Sequence, residues 1–504
     1  MTFVASLLLI AAGVVASVRW LRVAQREHYI PGSVTRFWWR WLWSSWQGIG
    51  LWVVIAILCE LGVFSSPFFL LAAACFLIVW PLRLSLRGRT GKLAWTRRLR
   101  TVTGVAAIVG AVLLVAIWVF FDIAQAAAVF ALTVPFIADV ALLLTAPLEA
   151  RLANRHLAEA AAKLARIKPV VIAITGSYGK TSTKEHLRDL LTGSFEVVAS
   201  PASFNNKAGL SRAINEQMSP SCEVFIAEMG TYGPGEIREL CRSIPPQIAV
   251  ITAIGPVHLE RMGTLDNITA AKAEILESAQ TAVLNVDSPH LADLAGRAPA
   301  AVAVVRCATS GDADVVVVEA DGALEVRAAG ETRTVPQPAG VHGSNIACAI
   351  GGALAAGVNV DAIVDRLPAL AVPAHRVQVS AGASGVRILD DTYNANPEGA
   401  RAAVRALAAT DVTGRRVIVT PGMVELGREQ ERTNEAFARD AAAVVDEFIV
   451  VNRKNRGALR RGAEAGGVEP MVKRDREEAV EWVRENLGAG DAVLYENDLP
   501  DHYP

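Results

Sequence analysis

Apolar positions first run almost unbroken along this chain and then split into short alternating pieces. Five apolar stretches lie near residues 2–18, 48–63, 66–82, 102–121 and 125–147. Each approaches the ~20 residues that a helix needs to cross the hydrocarbon core. The first lacks the basic leading segment of a cleaved signal and is followed by further apolar stretches, so it reads as an anchor. From Lys168 the texture changes. Short β-branched runs such as PVVIAI alternate with amphipathic segments, the pattern of a buried parallel sheet covered by helices. The pattern predicts a membrane region of about five helices over 1–150, a linker over 151–167 and an α/β body beyond it.

Charge orients the spans. Arg19, Arg22, Arg26, Arg36 and Arg40 follow the first; Arg83, Arg87, Arg89, Lys92, Arg97, Arg98 and Arg100 follow the third; Arg151, Arg155, Lys163, Arg166 and Lys168 follow the fifth. The turns near Ser65–Pro67 and Asp122–Gln125 carry no basic residue. The positive-inside bias therefore predicts a multi-pass protein of the cell membrane, with its N-terminus outside and its α/β body in the cytoplasm. The Trp-rich run FWWRWLWSSWQ (Phe37–Gln47) reads as a helix lying at the interface, with a groove for a lipid headgroup or polyprenyl chain as the sharper alternative. Glu60 falls inside or at the outer end of the second span, a position that marks intramembrane acids as functional candidates.

Composition adds limits. The 504 residues suit three or four domains, and a net charge of -1 gives no sign of a nucleic-acid partner. The six cysteines show no CxxC spacing, which fits a reducing compartment and neither a zinc site nor a disulfide framework.

Candidate chemistry begins at ITGSYGKTST, where a strand turns sharply into the helical segment TSTKEHLRDLL. Gly176 and Gly179 let backbone amides, with Ser177 and Ser182 beside them, face phosphates at a helix N-terminus. Lys180 would neutralise the β- and γ-phosphates of ATP, and the Thr181 hydroxyl would bind Mg2+. Ile174 occupies the first glycine position of the strict GxxxxGK[ST] pattern, so the flanking strand and helix carry much of this reading. The run EVFIAEMG puts Glu228 at the carboxyl end of a strand, where ligands bind in open α/β sheets. PQIAVITAIGPVHLERMG puts His258 in the loop after another strand, by itself an ordinary place for a histidine. In NITAAKAEILESAQ, Lys272 shares a helical face with Ile268 and Ile275. A lysine on a buried face needs a partner or a chemical reason, unless its stem carries the ammonium out to solvent.

These pieces, with SFNNKAGL, AEMGTYGPGEI, LNVD, DDTYNANPEG and MVELG, run in order from Lys168 to Gly427. Together they resemble the Mur ligase family, ATP-dependent amide ligases of cell-wall peptide synthesis, and within it the MurF type. The resemblance implies a P-loop middle domain over 168–372 and a Rossmann-like C-terminal domain over 373–504, both following the α-helical transmembrane region. It implies that Lys180 and Thr181 hold the phosphates and one Mg2+, with Glu228 on that metal and His258 on a second. It makes Lys272 a carbamylated lysine acting as an anionic ligand near the metal. Asn205 and Asn206 fall on the substrate or phosphate side; Asn345, Arg376 and Asp391 on the nucleotide; Tyr393, Asn394 and Asn396 on the substrate. The implied partners are a UDP- or lipid-linked cell-wall precursor and an amino acid or dipeptide, D-Ala-D-Ala by analogy.

Several positions depart from the family pattern. GVHGSN offers His342 and Asn345 with one residue fewer than the usual GxHNxxN, and Ala374-His375 precede Arg376 where a glycine is usual. Pro421 and Gly422 stand where glycine and aspartate are expected, and LYENDLPDHYP replaces a basic KGS-type segment. Apolar spans occupy the place of the UDP-sugar domain. The sequence reading is thus a membrane-anchored ligase that works through an acyl phosphate. A polyglutamate-type synthetase and a non-catalytic nucleotide-binding membrane regulator are the alternatives.

Overall fold

The computed structural model describes residues 1–43, 46–79, 87–88, 91–201, 204–231, 233–257, 259–320, 322–338, 341–370, 378–382, 384–392 and 396–498. The chain divides into two compact units, one over Met1–Leu152 and one over Ala153–Asp498.

The first unit holds α1 (Thr2–Arg26), α2 (Ser33–Trp43), α3 (Trp46–Phe64), α4 (Phe68–Val79), the paired short strands β1 (Arg87–Gly88) and β2 (Gly91–Lys92), and α5 (Arg97–Phe120). It also holds the start of α6 (Ile123–Ile167). Among the described residues, α1, α5 and α6 are long and apolar enough to span a membrane. The second and third apolar stretches form the 19-residue α3 and the 12-residue α4, and residues 80–82 of the third lie outside the described residues. The segment 151–167, expected as a linker, is helical and completes the 45 residues of α6. No glycine or proline interrupts it after Pro147, so nothing local ends the helix before Lys168, which has a positive φ of 58°.

The Trp-rich run lies in α2 as far as Trp43, and its residues 44–45 lie outside the described residues; in α2, Val34, Phe37, Trp38, Trp41 and Leu42 are buried and Arg36, Trp39, Arg40 and Trp43 exposed. Trp20 of α1 meets Phe37 and Trp41 edge-on, with ring centroids 6.4 and 5.9 Å apart. The α2 N-terminus is held from α6. Asp139 accepts hydrogen bonds from the amides of Gly32 (3.0 Å), Val34 (3.3 Å) and Thr35 (2.6 Å), and from the Thr35 hydroxyl. An acid within the long apolar α6 thus satisfies amides that would otherwise be unpaired.

In the second unit the chain continues through β3 (Val170–Thr175), α7 (Lys180–Leu191), β4 (Val197–Ala199), α8 (Lys207–Gln217), β5 (Val224–Glu228) and α9 (Glu236–Ser243). Next come β6 (Ile248–Ile251), α10 (Leu259–Met262), α11 (Leu265–Ala273), β7 (Thr281–Asn285) and α12 (Pro289–Gly296). Then follow β8 (Ala303–Ala308), β9 (Val315–Ala320), β10 (Ala323–Ala328), β11 (Glu331–Pro336), α13 (Gly343–Ala355) and α14 (Val360–Arg366). These strands form one sheet in the order β11-β10-β9-β8-β7-β6-β3-β5-β4, parallel from β4 to β9 and antiparallel over the last two pairings. The central β3 reads VVIAIT, and its residues 171–175 are all buried, because helices cover both faces of the sheet. Ile172 and Ile174 pack with α7 and α13, while Val171 and Ala173 pack on the opposite face with α8 and α9. Each fully buried aliphatic side chain there contributes roughly 1.5–3 kcal/mol of transfer free energy.

The remainder holds β12 (Gln378–Ala381), β13 (Arg387–Asp391), α15 (Pro397–Ala409), β14 (Arg416–Thr420), α16 (Gln430–Ala442) and β15 (Glu447–Val450). It ends with α17 (Arg456–Ala465), β16 (Met471–Val472), α18 (Arg476–Asn486) and β17 (Ala492–Glu496). Its sheet runs β12-β13-β17-β14-β15-β16 and is parallel except for β12 against β13. Both sheets are doubly wound, so loops gather at the carboxyl ends of their strands.

Candidate active site

Three neighbouring strands of the large sheet, β6, β3 and β5, deliver the candidate residues to one edge. After β3 the chain turns through Gly176–Gly179 into α7. Gly179 sits at the helix N-cap with φ of 76°, a conformation that costs glycine nothing. A Cβ there would lie 2.2 Å from Asn345 Oδ1, so α13 approaches the loop backbone itself. A Cβ on Gly176 would lie 2.0 Å from Thr252 Oγ1, so the loop after β6 crowds its other side. Ser177 fixes the turn: its hydroxyl donates to Gly255 O (3.1 Å) and accepts from Gly255 N (3.0 Å). Thr252 Oγ1 donates to Tyr178 O.

Lys180, the first residue of α7, folds back and donates to Gly176 O at 2.8 Å. Lys272 of α11 is 5% exposed and donates to the same carbonyl at 3.1 Å. Burial, and then the neighbouring Lys180 charge, hold the Lys272 ammonium well below its ordinary range. The inward face assigned to Lys272 is thus the one it occupies. Glu228, at the end of β5, is 1% exposed and accepts from Thr181 Oγ1 at 3.0 Å. This pair presents hard oxygen donors of the kind Mg2+ takes. No group of three or more His, Cys, Asp or Glu side chains converges to hold a metal among the described residues. His258 lies outside them.

Gly176, Ser177, Lys180, Asn205, Thr231 and Lys272 line one small cavity. Asn205 therefore faces the loop. Asn206 turns away to cap α8, accepting from Gly209 N at 3.0 Å. Asn396 likewise caps α15, accepting from Gly399 N at 2.8 Å. Ser182 and Asn345 are buried beside the loop. Asp391 ends β13 and is fully buried, while Arg376, Tyr393 and Asn394 lie outside the described residues.

Two participants escaped the sequence reading. Lys184 is fully buried, with Nζ 3.4 Å from Glu228 Oε2 and 3.4 Å from Glu185 Oε1. The signal was available, because Lys184 stands three and seven residues before Leu187 and Leu191 on the inward face of α7. Tyr178 is the other. Its ring lies against Gly255, and its hydroxyl is buried with no hydrogen-bond partner among the described residues. Burial, and then Glu398 of α15, push its phenol up, with Arg401 opposing. The charges on the first turns of α15 thus reach the Tyr178 phenol.

Comparison with known proteins bears on this geometry. The family model for the Mur ligase middle domain matches residues 174–351, and that for the Mur ligase glutamate ligase domain matches residues 375–495. The UDP-N-acetylmuramoyl-tripeptide–D-alanyl-D-alanine ligase of Mycobacterium leprae is 32% identical over 364 residues, covering 64% of this chain and 70% of that enzyme. The structure of MurF ligase from Thermotoga maritima in complex with ADP aligns with a TM-score of 0.59 at 28% identity, over 69% of this chain and 80% of that one. MurF from Acinetobacter baumannii aligns with a TM-score of 0.60 at 24% identity, over 68% and 77%, a likeness of fold.

Proposed function

The chain belongs to the Mur ligase family, and from that premise we propose that it is a membrane-anchored, ATP-dependent peptide ligase of the MurF type. Its acid substrate is a cell-wall peptide precursor and its amine an amino acid or dipeptide, D-Ala-D-Ala by likeness to the named relatives. The observation that carries this reading is the convergence of Lys180, Thr181, Glu228 and Lys272 on the loop after β3.

In this reading the loop amides and Lys180 bind the β- and γ-phosphates, and Lys180 offsets the charge that builds as the carboxylate attacks the γ-phosphorus. The carboxylate oxygen–phosphorus bond forms as the bond to ADP breaks. The amine then attacks the acyl carbon, inorganic phosphate leaves as the carbon–oxygen bond breaks, and the surplus proton of the attacking nitrogen passes to solvent or base. Thr181 and Glu228 would hold Mg2+, with His258 for a second ion, and the metal would supply charge neutralisation on the phosphates. Arg376 and Asp391 serve the nucleotide; Asn205, Tyr393 and Asn394 serve the substrates. Docking of α15 near Tyr178 would close the site and keep water from the acyl phosphate.

Lys272 is proposed to carry a carbamate. Its lowered pKa favours the free amine, the form whose nitrogen adds to CO2 and then loses a proton. A cation there would repel Mg2+, whereas a carbamate would attract it. Carbon-13 bicarbonate should add a carbamate resonance that Lys272→Met lacks; an unchanged spectrum removes this element.

The membrane part is proposed to present the acid substrate at the cytoplasmic face. The exposed Arg36 and Arg40 are a helical turn apart, alternating with the exposed Trp39 and Trp43, and suit a pyrophosphate-type headgroup, since each guanidinium can fork two oxygens. Reporter fusions after Asp122 and after Lys168 should report opposite sides of the membrane.

The test of function is ADP release and product mass with MgATP, D-Ala-D-Ala and either a UDP-linked or a lipid-linked tripeptide precursor. Wild type should form the amide, and Lys180→Ala should release no ADP while inserting normally. Full ADP release by Lys180→Ala refutes the ligase reading. Equal use of the UDP-linked precursor by a chain starting near Ala150 reduces the helices to a tether.

A further inference from the structure

Two departures from the family pattern, far apart in sequence, meet in the fold. Pro421-Gly422 follows β14 where glycine-aspartate is expected, and Glu496-Asn497 ends β17 where a basic segment is expected. Thr420 Oγ1 donates to Glu496 Oε2 at 2.5 Å and accepts from Gly422 N at 2.8 Å. Asn497 Nδ2 donates to Gly422 O at 2.7 Å. Gly422 has φ of 71°, and a Cβ there would lie 2.3 Å from Asn434 Oδ1 and 3.0 Å from Asn455 Nδ2. An aspartate has no room. Neutral asparagines fill the space instead: Asn434 holds both polar groups of Met423, and Asn455 holds Pro421 O and Met423 O.

The acid that replaces the expected base is fully buried, and so is Asp391, its register partner on the adjacent parallel strand β13. Register partners on neighbouring strands project to one side of the sheet. Two carboxylates brought together in a dry interior do not both ionise. Glu496 Oε1 has no hydrogen-bond partner among the described residues. Burial pushes the Glu496 carboxyl up to about 8, with Asp391 adding and the Thr420 hydroxyl opposing. The groups set against it are Asp391 from β13 and Thr420 from β14. Asp498, two residues on, is engaged with Arg476 of α18 at 3.0 Å.

We propose that Glu496 and Asp391 hold one proton between them, and that neutral Glu496 is a positioning residue that fixes the Asp391 carboxylate at the strand ends. This rests on the ligase reading above, in which Asp391 serves the nucleotide. Deprotonating Glu496 would put a second negative charge beside Asp391 and turn the pair away from its working geometry.

The experiment uses the full-length protein in detergent, with Glu496→Gln as the permanently neutral mimic and Glu496→Ala as the truncation. ADP release is measured from about pH 6 to about pH 9.5, with kcat and KM for ATP separated. Wild-type kcat/KM should fall about tenfold per pH unit once Glu496 ionises, above about pH 8. Glu496→Gln should lose that alkaline limb, and Glu496→Ala should raise KM for ATP more than it lowers kcat. Thermal melts read the same proton without turnover. The folded pKa lies above the unfolded value, so wild type should lose stability relative to Glu496→Gln as pH rises from about 5 to about 8, then level off. An alkaline limb kept by Glu496→Gln, or melts that run parallel, overturns the proposal. Absence of ADP release at every pH would instead count against the ligase reading, while the melts still decide the shared proton.

Discussion

Replacing Lys184 by methionine isolates the charge balance beneath the phosphate-type loop. Lys184 is fully buried and its ammonium lies 3.4 Å from Glu228 Oε2, while Glu228 is itself 1% exposed. Methionine keeps most of the stem volume, so the change creates little cavity and acts mainly through charge. The variant leaves the Glu228 carboxylate with the neutral Thr181 hydroxyl as donor, at 3.0 Å. Breaking a buried pair on one side costs about 3–5 kcal/mol, because the remaining charge stays desolvated. Surface pairs of this chemistry cost well under about 1 kcal/mol, so the two cases separate cleanly. At about 1.4 kcal/mol per decade, amide exchange in β5 should speed up by roughly two to four orders of magnitude. Hydrogen exchange read by mass spectrometry on peptides spanning Val224–Glu228 measures this directly. Adding Glu228→Gln should recover much of the loss, because the double variant buries no charge. A rise of less than tenfold in β5 exchange, or a double variant as unstable as the sum of the two single ones, refutes the reasoning.

Gly179→Ala should cost about 1–3 kcal/mol through the positive φ and should weaken ATP binding, since its Cβ meets Asn345 Oδ1; fluorescent-nucleotide titration checks this, and adding Asn345→Ala should relieve the contact but not the φ. For Lys272, burial lowers the folded pKa below the unfolded value, so the unfolded state binds more protons and wild-type stability rises with pH up to about 10.5. Against Lys272→Met in CO2-free buffer, that gain should approach about 1.4 kcal/mol per pH unit within the window, and parallel pH profiles in denaturant melts would contradict it. Asp139→Leu should free the N-terminus of α2, costing about 1–2 kcal/mol as other lost caps do and speeding tryptic cleavage at Arg36 and Arg40.

The alternation of PVVIAI with TSTKEHLRDLL determined β3, the turn and α7, because a parallel strand buried on both faces has to be continuously apolar. RRVIVT, DEFIVV and DAVLYEN carry the runs of β14, β15 and β17 for the same reason, whereas VRILDD forms β13 with Arg387 and Asp390 exposed. The edge strands β12 and β16 were not, since short edge strands carry no such run. The motif residues named a chemistry, and helical spacing placed Lys272 inward. Spacing alone did not separate Asn205, which lines the cavity, from Asn206, which caps α8, because adjacent residues share every local pattern. Nor did it reveal Asp139, whose partners lie more than a hundred residues earlier in the chain. Tertiary structure alone brought Gly422 and Asn497 into contact and set Glu496 beside Asp391. Local sequence dictates which faces must be buried, whereas the partners of a buried charge depend on strand order. That order emerges only when the whole sheet closes.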